Sequence, residues 1–195
     1  MINLETLRRK VVSIIIVPKV IQPVDTKQAL IFLAGPIRGG GDWQRLMAEM
    51  LIEQDPYVQI ACPARWTAEH TLNRYFVQPF SEAEIRQLHW ERHYMELASL
   101  SANQRGCVLF WLGLEDCNNP HPGPEPFAMD TRRELGTYTA FIKLLGARVA
   151  VGGSEGFYGL SVFRDELNNA AGGSFPFYTT METLTAAALK IASKL

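Results

Sequence analysis

The sequence predicts an α/β fold, a parallel sheet of about five strands with helices on both faces. Short runs such as Leu30–Leu33 and Gly106–Leu112 are apolar throughout, without the alternation of a half-exposed strand. Strands buried on both faces read this way. Segments with apolar residues at helical spacing separate these runs, so strands and helices alternate from Ala29 onward. No composition shift, linker or internal repeat divides the 195 residues. A single domain over 1–195 is expected, its core from about residue 29 and an N-terminal extension before it.

Met1–Lys10 is expected to form a short helix, with Leu4 and Leu7 on one side. Val11–Val17 is a β-branched run suited to an edge or accessory strand. It is about a third of a membrane span. Pro18 and Lys19 end it and no clear small-residue cleavage site follows, so it reads as a strand and not a signal peptide. After Leu30–Leu33 a helix is expected over Asp42–Gln54, with Leu46, Met47, Met50 and Leu51 on its apolar face. Asp55-Pro56 stops it, and Tyr57–Ala61 is a second short strand.

Ala64–Pro79 is polar and aromatic with no clear period, and reads as a functional irregular segment. Ser81, with Glu84 completing a capping box, predicts a long helix to about Ser101. Its inward stripe would hold Ile85, Leu88, Tyr94 or Met95, and Leu97. After the strand Gly106–Leu112 comes Gly113–Met129, rich in Pro, Gly and Asn, where parallel sheets carry their active-site loops. A helix over Asp130–Leu145 has Leu135, Tyr138, Phe141, Ile142 and Leu145 on one face. A strand Arg148–Val151 ended by Gly152 and Gly153, a helix near Val162–Ala170, a strand Phe175–Tyr178 and a helix Thr180–Lys194 complete the order.

Net charge is −1, which gives no electrostatic case for gripping a nucleic-acid polymer or an anionic membrane. Cys62, Cys107 and Cys117 form no CxxC, which fits a reducing compartment, and the cytoplasm is expected.

The turn after the first core strand is the main candidate site. Gly35, Pro36, Gly39, Gly40 and Gly41 break the strand just before a helix opened by Asp42. Free backbone N–H groups and a helix N-terminus suit an anion or polar ligand there. Arg38 adds a cation able to fork onto carboxylate or phosphate oxygens. The plainer account is a tight turn needing glycine for its angles alone. The spacing is neither GxGxxG nor GxxxxGK[ST].

Glu134 stands early in the helix after the long polar loop, where a carboxylate can face the crevice at the sheet's carboxyl edge. Gly136 would let a ligand or another backbone come close, and Arg132 or Arg133 would keep the acid ionised if either approached it. A surface acid favoured by the helix dipole is the alternative. Gln87 and Glu91 share a helix face at i, i+4. His89 and His93 share another, but HExxH is absent, and two solvated or packed histidines are the plain reading. Asp116, Glu125 and Asp130 are further acids in or beside the loop.

Taken together, IFLAGPIRGGGDW at 31–43, QLHWE at 87–91, VLFWL at 108–112 and TRRELG at 131–136 resemble the nucleoside 2-deoxyribosyltransferase-like family, in order and approximate spacing across about 29–152. IRGG is also similar to the related 2'-deoxynucleoside 5'-phosphate N-hydrolases, where that turn meets the substrate's phosphate. The resemblance implies a flavodoxin-like fold and a reaction at an N-glycosidic bond, with no metal and no cofactor. It makes Glu134 the nucleophile that attacks C1' and expels the base, the glycosyl-enzyme then being captured by a second base or by water. It places Gly35, Pro36, Ile37, Arg38 and Gly39 on the sugar or phosphate side, with Asp42 and Trp43 beside them. Glu91 becomes a positioning acid, and Asp130 lies near the family's usual upstream Asp. The proton for the leaving base is left open among Asp42, Asp116 and Asp130. The implied partners are a nucleoside or nucleotide and a free base, and relatives assemble as dimers or larger oligomers. A module that binds a nucleotide in the same crevice without chemistry is the competing expectation.

Overall fold

The computed structural model describes residues 12–19, 21–63, 71–76 and 86–194. The apolar runs form six strands: β1 Ile14–Ile16, β2 Leu30–Ala34, β3 Gln59–Ala61, β4 Gly106–Leu112, β5 Val149–Gly153 and β6 Phe177–Tyr178. All pair in parallel, in the order β1-β3-β2-β4-β5-β6. Five α-helices accompany them: α1 Trp43–Gln54, α2 Gln87–Leu100, α3 Met129–Leu145, α4 Leu160–Ala170 and α5 Met181–Ala192. A 3-10 helix spans Thr71–Tyr75. The architecture is a flavodoxin-like three-layer sandwich, and the strand beyond the expected five is β1, the accessory strand on the edge. No helix among the described residues is long and apolar enough to cross a membrane.

Each central strand is buried along its whole length, so its two sets of side chains feed two cores. Phe32, Val108, Phe110 and Val151 pack under α2, α3 and α4 with Trp90, Tyr94, Leu135 and Leu167. Ile31, Leu33, Leu109 and Ala150 pack on the other face under α1 and α5, with Trp43, Met47, Leu51, Leu184 and Ala188. This is why the strands read as unbroken apolar runs.

The expected stripes hold at Met47 and Leu51 in α1, at Tyr94 and Met95 in α2 and at Leu135 and Tyr138 in α3, and differ at their margins. In α1 the inward residues are Trp43, Met47 and Leu51, at i, i+4, i+8, while Leu46 is exposed. In α2 Trp90 and Tyr94 carry the stripe, and Leu88 is exposed. The α2 helix opens at Gln87, because Arg86 is extended and its carbonyl accepts the first helical bonds, from His89 and Trp90. Ser81 and Glu84, the expected capping box, lie outside the described residues. So do the expected helix at 1–10 and most of 64–79. Leu145 is exposed at the end of α3. Gly152 and Gly153 continue β5 and do not end it, because each pairs closely with a neighbour, Tyr178 and Leu112. Thr180 caps α5, its Oγ1 accepting from Thr183 N–H at 3.3 Å.

The strand order sets the position of a crevice. From β2 the chain crosses through α1 to β3 on one side; from β3 it crosses through α2 to β4 on the other. The carboxyl ends of β2 and β4 thus stand side by side while their following loops diverge, the switch point at which open α/β sheets bind ligands.

Candidate active site

At that switch point the described residues line a cleft of about 720 Å³, within the range of small-molecule sites. One wall is the turn after β2: Gly35, Pro36, Ile37 and Arg38. Further lining comes from Gln87 and Glu91 on α2 and from Asp130, Arg133 and Glu134 on α3. The loop after β4 supplies His121 and Glu125. Phe32 and Ala34 line it from β2.

The turn is held from behind. Trp43 opens α1, is 3% exposed and donates its Nε1–H to the Pro36 carbonyl at 2.8 Å. A Cβ on Gly35 would stand 2.5 Å from the Trp43 ring, so glycine lets the indole sit beneath the turn. Gly39 has a left-handed φ of 74°, and its carbonyl accepts the Asp116 N–H at 2.7 Å. A Cβ there would lie 2.5 Å from the His121 nitrogen. The loop after β4 is therefore strapped across the turn by its backbone.

Trp90 fixes α2. It is fully buried, its ring centroid 6.0 Å from that of Phe32 and 4.9 Å from that of Tyr94. With that face turned to the sheet, Gln87 and Glu91 fall on the cleft side, and Gln87 Nε2 donates to Glu91 Oε1 at 2.8 Å. The predicted i, i+4 pair is thus a hydrogen-bonded one. The α3 helix begins after Ala128, a buried residue with a left-handed φ of 58° that also lines the cleft. Such a conformation costs a non-glycine residue of the order of 1 kcal/mol and collects at functional sites.

Glu134 is half-buried on the cleft wall. Among the described residues no hydrogen bond or ion pair is made to its carboxylate. Burial, joined by the nearby charges of Glu91 and Asp130, raises its pKa to about 7, and Arg133 offsets this only in part. The expectation that arginine would keep this acid ionised is therefore corrected. Arg133 spends its charge on Asp130 as well, at 3.7 Å. Arg132 turns away, donating to the Tyr158 carbonyl at 2.6 Å and stacking on the Phe157 ring at 4.4 Å. Gly136 is exposed with open space at its Cβ position, so no other described segment approaches it closely.

Of the residues singled out from sequence, Gly35, Pro36, Ile37, Arg38, Glu91, Asp130 and Glu134 meet in the cleft. Gly39, Asp42 and Trp43 are not on its lining. Gly39 and Trp43 shape the turn from outside, and Asp42 is exposed and ion-paired with Arg45. Asp116 is also off the lining, its Oδ1 accepting from Asn118 N–H. His89 and His93 are exposed on α2, and no described group of three or more His, Cys, Asp or Glu could hold a metal ion. His121 is the residue that sequence reading missed. It lies in the NNPHPGPEP stretch, where nothing local marks it; the strap to Gly39 brings it in.

A scan against models of known protein families finds no match for this chain, and neither does a search of curated proteins. The chemistry is therefore read from the cleft. It joins an unpaired guanidinium (Arg38, among the described residues) and a glycine turn to a group of carboxylates, one of them desolvated. One end suits an anionic or polar ligand group, the other a centre that develops positive charge.

Proposed function

We propose that this protein cleaves the N-glycosidic bond of a (deoxy)nucleoside through a covalent glycosyl intermediate on Glu134, followed by transfer of the sugar to a second base. The observation that carries the reading is the meeting of Glu134 with the Gly35–Arg38 turn in one cleft, nearly a hundred positions apart in the chain. The resemblance of four sequence blocks to nucleoside 2-deoxyribosyltransferases supplies the reaction class.

The environment of Glu134 suits a nucleophile. Burial destabilises its carboxylate, whereas a glycosyl ester is neutral, so the same burial favours the covalent intermediate. Glu91 and Asp130 add negative potential, which favours an oxocarbenium-like sugar between ground state and ester. The glycine turn and Arg38 hold the far side of the substrate, and Gln87 orients Glu91. The exposed Arg38 guanidinium, with no partner among the described residues, favours a second reading in which the substrate carries a 5'-phosphate and water is the acceptor.

Intact-protein mass spectrometry after brief exposure to mixed deoxynucleosides and their 5'-monophosphates tests both. A deoxyribosyl or phosphodeoxyribosyl adduct is expected on the wild type and absent from Glu134→Ala. Ligand-induced stabilisation with every ligand recovered intact would favour a binding module instead.

A further inference from the structure

A base leaving C1' takes the glycosidic electron pair with it and needs a proton, and a positioned acid contributes about 10²–10⁴-fold to such a step. Arg38 and Arg133 hold their protons too tightly to serve. Asp130 is exposed and ion-paired with Arg133. Glu91 is engaged by Gln87, whose Nε2 donates to its Oε1 at 2.8 Å. Glu125 is exposed, with Oε2 folded back to 2.8 Å from the Cβ position of Gly123. Asp42 and Asp116, open from the sequence, do not line the cleft.

His121 remains. It is half-buried on the cleft lining and carries a side-chain type that both gives and takes protons near neutral pH. Its backbone is fixed twice: its amide N–H donates to Glu115 Oε1 at 2.7 Å, and the same amide packs against Gly39. The strap places His121 on the cleft lining beside the turn, supplied by a different element from the one that carries Glu134.

We propose that His121 is the catalytic acid that protonates the departing base. This rests on the reading of Glu134 as the nucleophile. A Glu134 oxygen bonds to C1' as the C1'–N bond breaks. The electron pair goes to the base nitrogens, and the imidazolium gives its proton to the base, leaving neutral imidazole, neutral base and a glycosyl ester. In the second half the incoming base or water attacks C1', the imidazole takes its proton, and Glu134 leaves as a carboxylate.

The test compares a purine deoxynucleoside with its N7-methyl derivative, each also as the 5'-monophosphate. The methylated base is already cationic and leaves without a proton. In His121→Gln, cleavage of the ordinary purine is expected to fall about 100-fold, and that of the methylated purine less than about threefold. The retained rate on the methylated substrate also reports that the variant is folded, and His121→Asn is read in the same way should His121→Gln not fold. Equal losses on both substrates would overturn the role of His121 while Glu134 stands. A wild type inert on all four compounds would overturn both.

Discussion

Trp43 Nε1 donates to the carbonyl of Pro36 at 2.8 Å, so the first residue of α1 braces the turn that precedes its own helix. The indole is buried beneath the turn and takes no place on the cleft lining. Trp43→Phe keeps most of the packing and removes the donor, leaving a buried carbonyl unpaired at a cost of about 1–3 kcal/mol. A lower denaturant midpoint is expected, with KM rising more than kcat falls, because the turn would lose its shape and Glu134 would not.

Gly39→Ala meets two obstacles together, a left-handed backbone and a Cβ placed 2.5 Å from the His121 nitrogen. A loss of about 1–3 kcal/mol is expected. Limited proteolysis is the specific readout: cleavage should speed up within residues 115–126 while the rest of the chain keeps its protection.

The charge on Glu134 is expected to weaken the fold. Its pKa lies near 4.5 in the unfolded chain and about 7 in the folded one. Between those values the folded state binds more protons, so this group's contribution to stability is full below about pH 4.5 and is lost as pH rises through 7. Glu134→Gln should therefore be more stable than wild type by about 1–3 kcal/mol at pH 8, with the difference vanishing near pH 4. Urea midpoints at the two pH values check this. A constant difference would contradict it.

The same ionisation sets the acid limb of activity. The nucleophile must be a carboxylate, so kcat/KM is expected to rise about tenfold per pH unit below 7 and bend near 7. Glu91→Gln removes one of the neighbouring charges that raises this pKa, so the bend should move to lower pH. A limb that bends near 4.5 in the wild type would contradict the burial of Glu134.

The meeting of turn and acid was legible in the chain because it follows from the α/β order alone. Both segments follow strands, and β2 and β4 end at the switch point. The pairing of Gln87 with Glu91 was legible from helical spacing. The resemblance sets Trp43 beside the substrate, whereas its i, i+4, i+8 relation to Met47 and Leu51 marks it as core. His121 was illegible because its place depends on a backbone contact with a residue some eighty positions earlier. The extent of β5 was hidden for a similar reason, since Gly152 and Gly153 are strand residues only by virtue of their neighbours.

The bond from Asp116 N–H to the Gly39 carbonyl involves no side chain. No substitution at position 116 short of proline can therefore delete the donor, whereas one added methyl group at position 39 is enough to crowd the segment it holds. The loop can exchange its exposed side chains, and with them the chemistry it offers a ligand, without slipping its anchor. Tolerance to change and dependence on a single atom's absence thus fall on opposite ends of one contact.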